Sequence, residues 1–345
     1  MPVPTTLTDV ARAVGVAPST VQRALNGAPG VSEKRREEIR KIAQEMGYQR
    51  NAMATLLKSP NRSIAVILPE IGYYSSELWR GVRQCFNANA GFGFTIHEYA
   101  YQRTSAFMAD ALEKAYAEHG TQLSGVITMG DDHPRAREVC QKWSKANVPV
   151  IFVGTDDPGE KRLSCCCGND TLAGQMAADI LLLPPQAEKL KVLITGDFSI
   201  ADQYQNMQGF EGSIMRRASR YEILKYGDRA DAATVRDTLV TYFEKQSDIT
   251  AVYSTSARNT VAMCQAVELA GLQGHFRLIG SDLFPESRQY LKNGILHALV
   301  HKRPYAQAYN AVQTLIHYLV HGQSPEPIYH CDPVVILRSN ADYDD

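Results

Sequence analysis

Apolar and polar positions change rhythm once along this chain, near residue 60. Before that point the spacing is helical. Val10, Ala11 and Val14 recur on one helix face, with Thr6 or Thr8 placed to cap its start and Gly15 to end it. Val21, Ala24 and Leu25 make a second stripe behind Pro18, a residue suited to a first helical turn. Ser32 is placed to cap a third helix with Ile39, Ile42, Ala43 and Met46 as its stripe and Gly47 at its end. Helix, short turn, helix is the pattern of a helix-turn-helix unit, expected over residues 1–49. Residues 50–62 then form a linker. Asn51 is placed to cap one or two turns carrying Met53, Ala54, Leu56 and Leu57. A helix that short needs a partner to form.

From Ser63 the pattern alternates. Strands are expected at 64–68, 93–99, 125–129, 148–153, 191–195, 221–226, 249–254 and 276–281. Most are unbroken apolar runs, as strands buried on both faces are. Amphipathic stretches such as 76–90, 104–119, 169–183, 205–218 and 257–270 lie between them. Alternating strand and helix predicts an α/β fold of doubly wound parallel sheets. Residues 63–345 are long enough for two such lobes. Ligands in these folds bind outside the carboxyl ends of the strands.

Composition adds constraints. The chain has 345 residues, 44% hydrophobic and 21% charged, so a large core is within reach. No apolar run nears the ~20 residues of a membrane span. The start, MPVPTTLTDV, shows no basic region followed by an apolar stretch, so no secretory signal is visible and a cytoplasmic location is expected. None of the seven cysteines sits in a C-x-x-C pair, which argues against structural zinc. No metal or cofactor is expected. Cys165, Cys166 and Cys167 read as a short buried strand. Charge is uneven: residues 1–60 hold nine Lys and Arg against five acids, a net +4, which leaves −5 for the rest. A basic module on an acidic body points to a polyanionic partner. No G-x-G-x-x-G helix start, Walker loop, H-E-x-x-H or nucleophile elbow is present, so an enzyme is not expected.

The stretches TLTDVARAVGVAPSTVQRALNGAPGVSEKRREEI and MGYQRNAMATLL resemble the headpiece of the lactose/galactose-repressor (LacI/GalR) family. Thr6, Asp9, Val10, Ala11, Gly15, Val16, Thr20, Val21, Arg23, Leu25, Asn26, Val31, Ser32, Gly47, Tyr48, Asn51, Ala54 and Leu57 match in register. Ala17, Gln22 and Arg50 depart from the pattern. The remainder is similar, mainly in spacing, to the family's two-lobed effector core, a fold shared with periplasmic sugar-binding proteins.

The resemblance implies a homodimer that binds a near-palindromic double-stranded operator. Helix 18–26 would enter the major groove, where each base pair shows a distinct donor and acceptor pattern. Pro18, Ser19, Gln22 and Arg23 would read bases. Thr6, Thr20, Asn26 and Ser32 would hold phosphates, with Asn26 alternatively only a helix C-cap. Asn51, Ala54 and Leu57 would lie in the minor groove, Leu57 as a wedge.

Family positions carried onto this chain give an effector site. Tyr74 falls on a ring-stacking position, with Tyr73 beside it. The usual Asp falls on Gly154, with Asp156 as a substitute. Asn206 falls on a ligand-binding Arg, Ser256 on a ligand Asn with Asn259 one turn on, Asp282 on a ligand Asp, and Lys302 on a Gln. A buried lysine there needs an anionic partner. That partner is either an acid of the protein around a neutral sugar, or an acidic sugar effector; both stay open at this point. The expected function is a repressor of carbohydrate-catabolism genes, released by a sugar or sugar derivative. The alternative is a corepressor-type or activating regulator of the same fold, responding to a non-sugar molecule such as a nucleobase. The expected lobes are 63–165 with 294–325, and 166–293 with 326–345.

Overall fold

The computed structural model describes residues 5–25, 30–46, 62–70, 72–102, 104–183, 189–227, 230–246 and 248–344. Asn26, Asn51, Ala54 and Leu57, and with them the expected 51–58 helix, lie outside the described residues.

The headpiece has three helices, α1 (Leu7–Val14), α2 (Pro18–Leu25) and α3 (Glu33–Glu45). Thr6 opens α1 through a capping box: its hydroxyl accepts from the Asp9 amide while the Asp9 carboxylate accepts from the Thr6 amide. Gly15 closes α1 at φ 74°, a left-handed conformation that favours glycine. Val10, Ala11, Val14, Val21, Ala24, Ile39 and Ala43 form the core between the helices. Arg35 donates to the Val14 carbonyl at 3.0 Å, which pins α3 to the end of α1. Ser32 holds the N-cap position of α3 with extended backbone, but its hydroxyl makes no capping bond.

Two six-stranded sheets follow. The first has the order β11-β5-β4-β3-β1-β2, from strands β1 (Ser63–Pro69), β2 (Thr95–Tyr101), β3 (Gly125–Thr128), β4 (Val150–Gly154), β5 (Ser164–Gly168) and β11 (Ile328–Cys331). The second has the order β12-β10-β9-β8-β6-β7, from β6 (Leu190–Gly196), β7 (Tyr221–Gly227), β8 (Ala251–Ser254), β9 (Arg277–Ser281), β10 (Ala298–His301) and β12 (Val334–Ile336). Every pairing is parallel except β10 with β12. The cysteine run forms β5, with Cys165 and Cys166 buried as expected of small apolar side chains.

Helices cover both sheets. On the first lie α4 (Tyr73–Ala88), α5 (Ser105–His119), α6 (Pro134–Lys145) and α12 (Pro304–His321); on the second, α7 (Asp170–Leu182), α8 (Ala201–Arg217), α9 (Ala232–Lys245), α10 (Ala257–Leu269) and α11 (Pro285–Lys292). Glycine sets the closest crossings. A Cβ on Gly174 of α7 would lie 1.9 Å from the Asn206 carbonyl oxygen of α8, and one on Gly81 of α4 would lie 2.3 Å from the Tyr305 carbonyl oxygen of α12.

The lobe boundaries differ from expectation. Residues 298–301 were expected in the first lobe, yet β10 pairs with β9 of the second. Residues 328–331 were expected in the second, yet β11 pairs with β5 of the first. The four buried residues of β10 extend the second sheet by one parallel strand, and the chain changes lobe only after it. The lobes are therefore joined at three places: 168–170, 301–304 and 331–334.

Candidate functional site

Two faces of the molecule carry the candidate residues. The first is α2. Val21 and Ala24 point into the headpiece core, which leaves Pro18, Ser19, Gln22 and Arg23 exposed on the opposite side. Thr20 is half-buried, and Ser32 is exposed near the start of α3. Thr6 is also exposed, but its hydroxyl is engaged in the capping box, donating to Asp9 at 2.6 Å. A phosphate at Thr6 would compete with the bond that starts α1. Arg12 pairs with Asp9, and Arg35 with Glu38, so part of the positive charge is already answered within the headpiece. Lys34 and Arg40 are exposed on α3.

The second face is the junction of the two lobes. Lys302 follows β10, Asp282 follows β9, and Asp170 opens α7 directly after the first crossover. Asp202 and Asn206 lie one turn apart at the start of α8. The Lys302 ammonium is buried, 3.9 Å from Asp170 Oδ1 and 3.8 Å from Asp202 Oδ2. The Lys302 amide donates to Asp282 Oδ1 at 3.0 Å. Burial works against the charge of Lys302, but Asp282, Asp202 and Asp170 outweigh it and hold the ammonium above the ordinary lysine range. Burial raises Asp170 well above the ordinary carboxylate range, Lys302 notwithstanding. Asp282 is pushed up by burial too, and the Lys302 charge, nearby His301 and the Lys302 amide together reverse this and keep it low. The Leu283 amide nitrogen lies 3.2 Å from His301 Nδ1, which itself lies 3.6 Å from Asp282 Oδ1. An amide N–H can only donate, so Nδ1 is an acceptor and the His301–Asp282 approach is not a hydrogen bond. Asp282 and Arg303 both have left-handed backbone, φ 65° and 58°. Such strain in non-glycine residues concentrates where side chains are held for a task.

Acids of the protein stand beside Lys302: Asp170 and Asp202 near its ammonium, and Asp282 at its amide. Asp170 and Asp202 were not foreseen. Each resembles the acid that commonly sits in a helix's first turn. The one local signal was the four-residue spacing of Asp202 from Asn206, which puts both on one helix face.

The other expected residues divide. Asn206 is fully buried beside the cluster; its Oδ1 accepts from the Tyr253 hydroxyl, and its Nδ2 has no hydrogen-bond partner. Tyr74 is half-buried and donates to Gln307 Oε1 at 2.9 Å, while Gln307 Nε2 donates to the Lys302 carbonyl at 2.7 Å. Gly154 gives Tyr74 its space: a Cβ there would lie 2.7 Å from the Tyr74 hydroxyl. Tyr73 meets Phe284 across the lobes, ring centroids 4.9 Å apart. Three residues are committed elsewhere. Asp156 is bound through both carboxylate oxygens to Arg162. Ser256 caps α10 by accepting from the Asn259 amide. Asn259 donates to Thr195 at 2.8 Å and accepts from Arg258 at 3.0 Å, so its side chain is used within the second lobe.

A cavity of about 400 Å³ opens between the lobes beside Tyr73, Arg80, Phe284 and His301. Another, about 720 Å³, lies against β2 and α5 and touches none of the cluster. The charged cluster and not cavity volume marks the site, because there, beside two of the crossovers, charged side chains meet buried polar atoms without hydrogen-bond partners. Among the described residues no group of His, Cys, Asp and Glu is arranged to hold a metal ion, and no helix is long and apolar enough to cross a membrane.

A helix-turn-helix headpiece followed by two lobes with three crossovers defines a class: a two-lobed α/β domain carrying a helix-turn-helix unit. Comparisons with known proteins agree. Residues 64–324 match the periplasmic binding protein domain, and residues 6–51 match the lacI family of bacterial regulatory proteins. The chain therefore belongs with the periplasmic binding protein domains over most of its length and carries a lacI-family domain at its start. It is similar to catabolite control protein A of Streptococcus mutans, 30% identical over 156 residues, 44% of each chain. It is also similar to the sucrose operon repressor of Staphylococcus xylosus, 30% identical over 184 residues, 51% of this chain and 52% of that one. The chain spans about half the length of these relatives. Among solved structures, the glucose-galactose binding protein GanP of Geobacillus stearothermophilus has a TM-score of 0.71 at 23% identity, over 81% of this chain and 98% of that one. A LacI regulator structure from Bacteroides fragilis, described as putative, has a TM-score of 0.72 at 18% identity, over 83% and 100%. These two likenesses are of fold.

Proposed function

We propose that this chain is a sequence-specific DNA-binding transcriptional regulator, a repressor of carbohydrate-catabolism genes, and that a sugar-like effector bound between its lobes releases it from DNA. The observation that carries this is the exposed face of α2, polar and cationic where a core helix would be inert, on a chain with buried, unsatisfied polar groups beside the crossovers of its lobes. The lacI-family headpiece and the sugar-binding fold neighbours support the same reading. Two copies would bind a near-palindromic operator, Gln22 and Arg23 reading base edges and Ser32 with Thr20 holding phosphates.

The experiment is selection of binding sites from random duplex DNA, followed by fluorescence anisotropy on the selected site. Arg23→Ala removes a side chain able to bond guanine twice, worth about 1–3 kcal/mol. The variant should lose affinity for the selected site about 5- to 150-fold, and much less for scrambled DNA. Selection that enriches no sequence, or an Arg23→Ala loss equal on all DNA, would sink the reading.

A further inference from the structure

Four charges meet at the crossovers between the lobes, and they do not balance. The Lys302 ammonium stands 3.9 Å from Asp170 and 3.8 Å from Asp202, with Asp282 a third negative charge beside it. Both distances exceed a direct hydrogen bond, so the ammonium lies between two carboxylates without closing on either. Charges kept out of water need partners, and here carboxylates outnumber the ammonium facing them.

A second observation concerns hydrogen bonds and not charge. Asp202 and Asn206 share one face of α8. Asp202 Oδ1 and Asn206 Nδ2 are both buried, and neither has a hydrogen-bond partner. The Tyr253 hydroxyl holds Asn206 Oδ1, which leaves the amide nitrogen as the unfilled end. Tyr253 also feels the charges of Lys302 and Asp170, so this amide borders the acidic group. The pair therefore asks for two things at once: a donor at Asp202 and an acceptor at Asn206.

We propose that the effector is a polyhydroxylated amine of the amino-sugar class, its ammonium group donating to Asp202 Oδ1 on the side away from Lys302 and a neighbouring hydroxyl oxygen accepting from Asn206 Nδ2. This rests on the reading of the interlobe cleft as the effector site. A sugar acid or sugar phosphate would set its anion against the Asp202 and Asp282 carboxylates, with Lys302 already engaged between them and Asp170. A neutral sugar would satisfy Asn206 and leave the excess negative charge unanswered. An amine next to a hydroxyl meets both demands, and charge-assisted bonds are the stronger kind.

The test is calorimetric titration of the full chain with D-glucosamine, D-galactosamine and D-mannosamine, each against its parent hexose and the corresponding hexose phosphate. One amino sugar should bind about ten-fold or more tightly than its parent. Asp202→Asn should cut the affinity ratio of amine to parent hexose about ten-fold, to near one; Asp170→Asn, at a group that burial already holds raised, should change that ratio far less. Thermal unfolding of both variants checks that they fold. A parent hexose or hexose phosphate that binds as tightly as the amine overturns the proposal, as does an unchanged preference in Asp202→Asn. Either result leaves the cleft as a sugar site. If no sugar of any class binds a chain that still binds its selected DNA, the cleft reading falls as well.

Discussion

Replacing Lys302 by methionine keeps the length of the side chain and removes its charge. Lys302 is buried, and Asp170 and Asp282 beside it are buried with it. Removing one partner from such a group costs about 3–5 kcal/mol, because the remaining charges stay out of water unpaired. The cost should depend on pH, and the sign follows from the carboxylates. In the wild type Lys302 holds Asp282 below its ordinary value, so Asp282 contributes stability above the unfolded-state value and loses it as pH falls through the folded one. Without Lys302 that support is gone, and burial leaves Asp282 as well as Asp170 raised. Raised carboxylates act the other way: their stability is present at low pH and is lost as pH rises. The gap between variant and wild type should therefore widen from about pH 5 to pH 8. Urea unfolding followed by circular dichroism at the two pH values measures it. The two tryptophans, Trp79 and Trp143, both lie in the first lobe, so their fluorescence reports on the half of the fold that shares less of the damage. Asp170→Asn added to Lys302→Met should restore part of the loss. A cost below about 1 kcal/mol at pH 8, or one equal at both pH values, would refute the reasoning.

Two further outcomes are expected. Gly174→Ala adds helix propensity, yet its Cβ would lie 1.9 Å from the Asn206 carbonyl oxygen and 2.7 Å from the Phe210 nitrogen, so α7 and α8 must separate. It should lose about 1–3 kcal/mol, seen as a lower melting temperature, where propensity alone would raise it. Thr6→Ala removes the capping box and should cost about 1 kcal/mol, read as faster amide hydrogen exchange along α1 while the lobes exchange as before.

What could be read from the sequence was whatever is decided locally. The headpiece follows from caps and apolar stripes within a few residues of each other, as Thr6 with Asp9 and Gly15 with Val14 show. The alternation of strands and helices follows from runs such as the one that became β1. The lobe boundaries do not, because placing β10 or β11 depends on which distant strand it pairs with. The site divides in the same way. Lys302 demanded a partner in the sequence, but Asp170 and Asp202 look like ordinary first-turn acids until the fold brings them across a hundred positions or more to the lysine. Ser256 and Asn259 sat at plausible positions, and nothing in the sequence showed that capping α10 and bonding Thr195 would use them.

The three crossovers give this molecule a pivot, and the acidic group is built on it. Asp170 and Lys302 each lie on a segment that passes between the lobes, while the Tyr73 and Phe284 rings meet across the lobes. When one rigid body turns against another, displacement grows with distance from the axis. Residues at the crossings are then displaced least, and a contact such as Tyr73 with Phe284 opens along an arc. On the proposed reading, an effector held at the crossings would stay bound through the whole swing, and gripping the molecule and signalling its arrival would fall to different residues: the acids near the pivot to the first, the aromatic pair to the second.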